Sequence, residues 1–266
     1  MATCKKRSLA IECWARTMFK SLFNLVVINL KVRYRGTLTG FIWVILHPIL
    51  LFFVQSYIFS NFFGHEISNY SLYLMTGLFP WFFLSQTADM SCNHLKTNSS
   101  LIQCLNIKPE ILILALVIEN YIHFLFAVLI VAGYLIFKDF NSIVPVSIML
   151  AWSLPFVILA YYLSFISSLL NTLYKDVKFI LSFIFTILFF SSPVIYRSTN
   201  LPVRIQNVIA LNPLNSFLSM FRSGLNPNDT ENLMSPFITC VLIIIALGFT
   251  KKYLWHKLHN SFLLKI

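Results

Sequence analysis

The chain of 266 residues is 58% apolar, only 11% of its residues are charged, and its formal net charge is +11. Because soluble domains carry about a quarter charged residues, this chain has too little polar surface to cover a globule in water. The composition excludes a soluble enzyme, a nucleic-acid-binding domain and a disordered chain. The long apolar runs do not alternate with polar residues, which favours spanning helices over barrel strands. The predicted class is an all-α integral membrane protein.

The N-terminal segment, residues 1–36, is predicted to lie in the cytoplasm, before a single membrane domain at residues 37–266. Within Ile11–Lys31, apolar residues such as Trp14 and Met18 recur at helical spacing among polar ones. This pattern is typical of an amphipathic helix lying in the inner membrane interface. A solvated N-terminal helix is the alternative.

Six transmembrane helices are predicted from the apolar runs, and the basic residues orient them. With both termini in the cytoplasm, 16 basic residues lie on the inner side and four on the outer side. Such an excess on the cytoplasmic side is the usual pattern in membrane proteins. The predicted spans are Phe41–Phe63, Leu72–Thr87, Ile111–Phe137, Ile143–Leu170, Phe179–Ile195 and Leu233–Phe249.

The segment Tyr196–Asn232, between the fifth and sixth spans, is too long and too apolar for a simple outer loop. It contains three prolines and apolar stretches that must be buried. Short re-entrant helices would bury them, because irregular backbone at membrane depth is tolerated only where protein or a wet cavity surrounds it.

Catalytic and metal-binding motifs are missing from the sequence. It has no phosphate-binding GxxxxGK[ST] loop, no HExxH pattern, no CxxC pair and no acidic cluster for a magnesium-held pyrophosphate. We therefore predict no catalytic residue, no metal site and no cofactor bound by this chain. A membrane-embedded transferase is disfavoured for the same reason.

Glu119 is an acid inside the third predicted span, with Asn120 beside it and His123 one turn later. An acid within the membrane is costly and is a functional candidate by default. It could relay protons in a gradient-driven transporter. The alternative is a structural contact with a neighbouring helix.

Aromatic side chains lie both at the ends and in the middle of the predicted spans. Tyr70, Tyr73 and Trp81 are expected in the interfacial aromatic belts. The fifth span carries two aromatic stripes at helical spacing, and periodicity does not decide which of them faces lipid. Either could line a passage for sugars, whose C–H faces pack on aromatic rings. The stripes are Phe185, Phe189, Ser192 and Tyr196, and Phe179, Phe183, Thr186 and Phe190.

Several motifs resemble one transporter family. The segment from Lys31 to Pro48 contains, in this order, a basic-aromatic-basic run, two glycines, a tryptophan and a proline. This order resembles the start of ABC-2 type polysaccharide exporter permeases, although His47 stands where that family commonly has Asn, and Lys175 where it has Arg. Further similar segments are Tyr73–Trp81, Pro109-Glu110, Lys175–Val177, Ser192–Tyr196, Leu211–Leu214 and Arg222.

The resemblance implies a homodimer in the bacterial cytoplasmic (inner) membrane that works with two copies of a separate ABC ATPase subunit. ATP and Mg²⁺ would bind to that partner. The cargo would be an undecaprenyl-pyrophosphate-linked glycan such as O-antigen, capsule or teichoic acid, with no nucleic acid involved. The alternatives are an ABC-2 type drug or lipid exporter and the proton-coupled transporter that would use Glu119.

The resemblance also implies roles for individual residues. Arg33 and Arg35 would lie at the inner mouth and contact lipid pyrophosphate. Anchoring to anionic headgroups is the alternative for both. The expected ATPase contacts are Asn98, Leu101, Ile102 and Pro109. The expected outer gate contains Pro193, Asn212, Pro213 and Arg222. The expected substrate path, mainly from spans one and five, contains Phe52, Tyr57, Phe185, Phe189 and Tyr196.

Overall fold

The structure is a computed structural model that describes residues 18–33, 35, 42–63, 69–105, 107–138, 143–197, 201–210, 212–223 and 233–265. Every regular element within these ranges is a helix. The prediction of an all-α fold is thereby confirmed. The helices are α1 (18–33), α2 (Ile42–Phe63), α3 (Tyr70–Thr97), α4 (Ser99–Leu105), α5 (Pro109–Lys138), α6 (Ile143–Leu173), α7 (Val177–Ser191), α8 (Val203–Ala210), α9 (Pro213–Arg222) and α10 (Met234–Lys265).

Three stretches of the described chain are long and apolar enough to cross a membrane: Pro109–Ile136, Val146–Leu173 and Met234–Lys265. Two shorter apolar helical stretches, Ile49–Ser60 and Val177–Ser191, coincide with the first and fifth predicted spans. Helix α3 has 28 residues but is more polar over its second half. The structure thus supports a multi-helix membrane protein, and six complete crossings stay a prediction.

Helix α10 is longer than the predicted sixth span, which ends at Phe249. It has 32 residues, or about 48 Å at 1.5 Å per residue, whereas the hydrocarbon core is about 30 Å thick. The helix continues because Trp255, Leu258 and Phe262 recur on one face and pack against the core. The apolar run, and with it the predicted span, ends before the first lysines. The helix itself continues to Lys265 as an amphipathic helix.

Lys251, at the middle of α10, is held by neighbouring helices. Its ammonium donates a hydrogen bond to the Tyr161 hydroxyl at 2.9 Å and lies 3.7 Å from Glu110 Oε1. The same group sits 4.6 Å from the centre of the Phe165 ring, in the range of a cation–π contact. A lysine inside the helix bundle is therefore compatible with the fold, because its charge is shared among α5, α6 and α10.

Helices α3 and α6 form the centre of the bundle, and their contact is lined by small polar residues. The hydroxyl oxygens of Ser91 and Ser167 lie 2.8 Å apart. Asn171 donates to the carbonyl oxygen of Cys92 at 3.0 Å and to Asn93 Oδ1 at 3.0 Å. Small residues let two helices approach closely in a membrane, and their hydroxyls bond across the contact.

The bundle has two ends, which we name by their short helices. The α4 end contains α4, the beginning of α5, the end of α6 and the beginning of α7. The α9 end contains the beginning of α3, the end of α7, α8 and α9. Helix α9 buries Leu214, Phe217 and Phe221 and packs against α6 and α10, so the segment between the fifth and sixth predicted spans folds back onto the body.

Ser167→Leu is expected to lower the unfolding free energy by about 1–3 kcal/mol, because the larger side chain overpacks the α3–α6 contact. Ser167 is 4% exposed. The measurement is unfolding of the purified protein in mixed micelles. Ser235→Leu, on an exposed position of α10, is the matched control and should leave stability unchanged. Equal stability of both variants would contradict the close packing described here.

Candidate functional site

An irregular segment, residues 192–197, follows α7 at the α9 end of the bundle. Its backbone leaves the helix at Ser192, which has extended backbone angles, so its carbonyl groups lose their helical partners. Backbone carbonyls in apolar surroundings must find other donors. Three side chains from α3 and α9 supply them.

Arg222, the last residue of α9, makes the largest contribution. Its Nη1 donates to the carbonyl oxygen of Pro193 at 2.7 Å, and its Nη2 donates to those of Tyr73 at 3.0 Å and Val194 at 3.2 Å. The guanidinium carbon lies 3.8 Å from the centre of the Tyr73 ring. A planar group with five donors is suited to several acceptors at once, and it joins α9, α3 and the irregular segment.

Two tyrosines of α3 complete the pairing of this segment. The Tyr73 hydroxyl lies 2.9 Å from the carbonyl oxygen of Pro193 and 2.8 Å from that of Tyr196, so it shares its proton between them. The Tyr70 hydroxyl donates to the carbonyl oxygen of Ile195 at 3.0 Å. We call Tyr70, Tyr73, Arg222 and residues 192–197 the carbonyl clamp.

The carbonyl clamp corrects the expectation of aromatic belts. Tyr70 is 5% exposed and Trp81 is 7% exposed, so the prediction that they lie in the interfacial belts is wrong. The Tyr70 hydroxyl and the Trp81 ring make their contacts inside the protein. The close approach also needs Gly77, because a Cβ at this position would overlap the Arg222 guanidinium and come within 2.8 Å of the Val194 carbonyl oxygen.

The other expected gate residues lie beside the carbonyl clamp. Asn212 caps α9, since its Oδ1 accepts from the backbone N–H of Leu214 at 3.0 Å. Its amide donates to the hydroxyls of Ser191 at 3.0 Å and Ser192 at 2.8 Å, and Pro213 occupies the first helical position. The structure therefore brings Pro193, Asn212, Pro213 and Arg222 together at one end of the bundle.

A groove of about 520 Å³ lies between α2, α3 and α7. One wall is aromatic: the Trp81 ring centre lies 5.8 Å from that of Phe185 and 5.3 Å from that of Phe189. The rest of the lining combines the apolar side chains of Phe82, Met90 and Leu181 with polar ones. The polar lining residues are Gln55, Ser85, Gln86, Asp89, Ser182 and Thr186.

The structure distinguishes the two aromatic stripes of the fifth predicted span. Phe185 is 9% exposed and faces the groove, whereas Phe179, Phe183 and Phe190 are at least two-thirds exposed on the outer surface of α7. Thr186, assigned to the second stripe, also lines the groove. The Phe185 and Phe189 stripe is thus the one that packs inward.

The expected substrate-path residues do not form one surface. Phe52 and Tyr57 line a separate groove of about 640 Å³ between α2, α3 and α5. Tyr196 belongs to the carbonyl clamp and donates its hydroxyl to the carbonyl oxygen of Phe190 at 2.7 Å. Only Phe185 and Phe189 line the groove of α2, α3 and α7. The same groove also contains Gln55, Gln86 and Asp89, which the sequence analysis did not predict as site residues. The one sequence signal near this part of α3 was the motif that ends at Trp81.

The expected ATPase contacts lie at the α4 end. Asn98 donates to the carbonyl oxygen of His94 at 2.9 Å and ends α3, and Pro109 is buried at the start of α5. Leu101 and Ile102 turn partly toward the core. The face of α4 that remains exposed contains Ser100, Gln103, Cys104 and Leu105.

Arg33, at the end of α1, is bound inside the protein at the α4 side of the bundle. Its Nε lies 2.8 Å from Glu119 Oε1, and its Nη1 lies 3.1 Å from both Asn120 Oδ1 and His123 Nδ1. Its Nη2 donates to the Met90 sulfur at 3.2 Å. The Glu119 side chain is only 4% exposed, so this is a buried ion pair that joins α1 to α5. Arg35, by contrast, is exposed.

His94 lies close enough to Arg33 to be affected by its charge. Burial, together with the nearby charge of Arg33, lowers the pKa of His94 to about 4, so His94 is neutral near pH 7. The described residues hold no group of three or more His, Cys, Asp or Glu that could bind a metal ion. Glu119 therefore makes a contact with a neighbouring helix, as the structural alternative expected.

Arg222→Lys is expected to lower the unfolding free energy by about 2–3 kcal/mol, because one ammonium cannot reach the acceptors that the guanidinium joins. The measurement is unfolding in mixed micelles. Arg204→Lys, at an exposed position of α8, is the control and should behave as the unchanged protein. An Arg222→Lys protein of full stability would show that the carbonyl clamp contributes little.

Arg33→Met is expected to cost about 3–5 kcal/mol, because Glu119 would be left buried without its partner. The double variant Arg33→Met with Glu119→Leu should recover most of this loss, since two apolar side chains replace the pair. A double-mutant cycle of unfolding free energies measures the coupling. Additive effects would contradict a direct ion pair.

No family model matches the chain. Two O-antigen export system permease proteins RfbA of Klebsiella pneumoniae are similar to it. One is 29% identical over 76% of this chain and 80% of its own length. The other is 28% identical over 87% of this chain and 92% of its own length. The O-antigen export system permease protein RfbA of Myxococcus xanthus is 25% identical over 85% of this chain and 88% of its own length. The resemblance predicted from the motifs is thereby confirmed, since the chain is similar to permeases of O-antigen export systems over most of its length.

Proposed function

We propose that the chain is the permease subunit of an ATP-driven exporter that moves lipid-linked, O-antigen-like polysaccharide across the bacterial cytoplasmic membrane. The similarity to O-antigen export permeases over most of both chains carries this proposal. The aromatic and polar groove between α2, α3 and α7 supports it, because such a lining suits sugar rings.

In the proposed arrangement the chain crosses the membrane six times, with both termini and the α4 end in the cytoplasm. The excess of basic residues on that side supports this orientation. Helices α8 and α9 are the re-entrant segment that closes the outer side at rest. The carbonyl clamp supports this role, since irregular backbone at membrane depth must be paired within the protein.

The working unit is proposed to be a homodimer in which a second copy covers the groove. The groove is open on one side in the single chain, and its polar residues, such as Gln55, Gln86 and Asp89, are unsuited to contact with lipid chains. A facing copy would enclose these residues in a wet passage. Phe185 and Phe189 would form part of its wall.

Two copies of a separate ABC ATPase subunit, which bind ATP and Mg²⁺, are proposed to drive transport. They would contact α4 on its exposed face and, with it, the N-terminal helix α1 in the inner interface. Because Arg33 is engaged by Glu119, we assign contact with the lipid pyrophosphate or with anionic headgroups to the exposed Arg35 first.

The contacts of Glu119 argue against one of the alternative functions. A proton-coupled transporter would need Glu119 to exchange protons with water, but its carboxylate is buried and bonded to Arg33 and to the side chain of Asn29. An ABC-2 drug or lipid exporter differs in the phenotype it predicts. Loss of this gene should remove surface polysaccharide, whereas loss of a drug exporter would change only drug resistance.

Leu105→Glu is expected to abolish co-purification of the permease with the ATPase subunit, because a charge replaces a leucine in the proposed contact. The ATP hydrolysis that the permease stimulates in this subunit should fall by at least about 90%. Leu105 is 64% exposed on α4. The matched control is Leu264→Glu, an 88% exposed leucine near the end of α10. A chain that purifies without any P-loop partner, or a Leu105→Glu complex of full activity, would contradict the proposed coupling.

A further inference from the structure

Helix α10 has one continuous outer face, which changes from apolar to basic along its length. Its opposite face, through Ile243, Leu247 and Leu258, packs against the core. Positions three and four residues apart share one side of a helix. The exposed side chains that follow this spacing on the outer face are Ile238, Leu242, Ile245, Phe249, Lys252 and His256.

The basic end of this face is compact and carries charge that the described protein does not neutralise. We call it the basic patch: Lys252, Tyr253, His256 and Lys257, all of them exposed. The Lys257 ammonium lies 5.8 Å from the centre of the Tyr253 ring. Among the described residues, no acid pairs with Lys252 or Lys257, and α10 itself contains no acidic residue. Two positive charges therefore face outward together.

The basic patch lies at the depth where the hydrocarbon core ends. For a crossing that begins at Met234, Lys252 lies about 27 Å and Lys257 about 34 Å along the helix, at 1.5 Å per residue. The boundary of a hydrocarbon core of about 30 Å falls between them. The apolar part of the face, which ends at Phe249, is thus at the depth of lipid chains, and the two lysines are at the depth of the headgroups.

Charge favours an anionic headgroup over a zwitterionic one at the basic patch. A zwitterionic headgroup carries its own ammonium, which two lysines repel, whereas a phosphate without that ammonium is attracted to both. Basic residues just beyond a spanning helix attract acidic lipids in this way. A cytoplasmic protein would also meet the lysines, but it could not reach the exposed apolar residues before them, which lie at membrane depth.

We propose that the outer face of α10 binds one anionic phospholipid of the phosphatidylglycerol type. Its acyl chains lie along Leu242, Ile245 and Phe249, and its phosphate accepts hydrogen bonds from Lys252 and Lys257. This lipid is a ligand of the permease and not its cargo. Lys265 near the end of α10 bonds the carbonyl oxygen of Leu173 at the α4 end, so the orientation proposed above places the lipid in the inner leaflet.

The test labels the lipid beside the basic patch. Tyr253 is replaced by p-benzoylphenylalanine, which keeps an aromatic ring and reacts with neighbouring molecules on irradiation. The full-length permease is placed in nanodiscs that contain equal amounts of phosphatidylglycerol and phosphatidylethanolamine, and mass spectrometry identifies the labelled lipid. Phosphatidylglycerol should be labelled at least about fivefold more than phosphatidylethanolamine, the effect of one lysine at a membrane surface. The same probe at Ile238, at the other end of this face, should show no preference.

Two charge variants of the probe protein, with the same net charge, separate the patch from the overall charge of the chain. Lys252→Gln with Lys257→Gln should bring the labelling ratio close to one, because the amides are polar but uncharged. Lys20→Gln with Lys31→Gln, at exposed positions of α1, should leave the ratio unchanged. Thermal unfolding of each variant confirms that it is folded.

Three outcomes would overturn the inference: equal labelling of both lipids at Tyr253, a preference that survives Lys252→Gln with Lys257→Gln, and an equal preference at Ile238. Labelling of the ATPase subunit in place of lipid, when the assembled transporter is irradiated, would also overturn it and assign the basic patch to a protein partner. The proposed function is tested separately, by the ATPase partner and by loss of surface polysaccharide, so an exporter without this lipid would refute only the present inference.

Discussion

The pairing of exposed backbone carbonyls is the constraint on which the α9 end of this protein depends. Where α7 stops at Ser191, the chain has to turn back without leaving polar groups against apolar neighbours. The hydroxyls of Tyr70 and Tyr73 and the guanidinium of Arg222 meet this requirement. The position of α9, the orientation of α3 and the absence of a side chain at Gly77 all follow from it.

Helix α3 connects this constraint with the rest of the bundle. Its first turns supply the tyrosines of the carbonyl clamp, its middle supplies Trp81 to the groove, and its last turns meet α6 through Ser91 and Asn171. These three contacts lie on one helix of 28 residues. A helix with so many polar contacts is less apolar than an ordinary span, which explains why α3 is not among the three helices that are long and apolar enough to cross a membrane.

Much of the fold could be predicted because hydropathy and helical spacing are local properties of the sequence. They predicted the all-α class, most helix positions and the short helices before α10, and the motifs placed Arg222 and Asn212 in the expected outer gate. The partner of Glu119 could not be predicted, since Arg33 is 86 positions away and both had other plausible roles. The polar side of the groove was missed because Gln55 and Gln86 carry no motif. Tyr70 and Trp81 were misassigned because proximity to a span end does not tell which way a ring points.

The bond between Arg33 and Glu119 has a mechanical consequence. Glu119 lies on α5, and three residues separate the end of α4 from the start of α5, so α1 and α4 are both attached to this long helix. A force applied to either of them reaches the other through about ten residues of regular helix, the distance from Pro109 to Glu119. A displacement of α4 would therefore be transmitted through the first half of α5 to the Arg33–Glu119 ion pair, and so to α1.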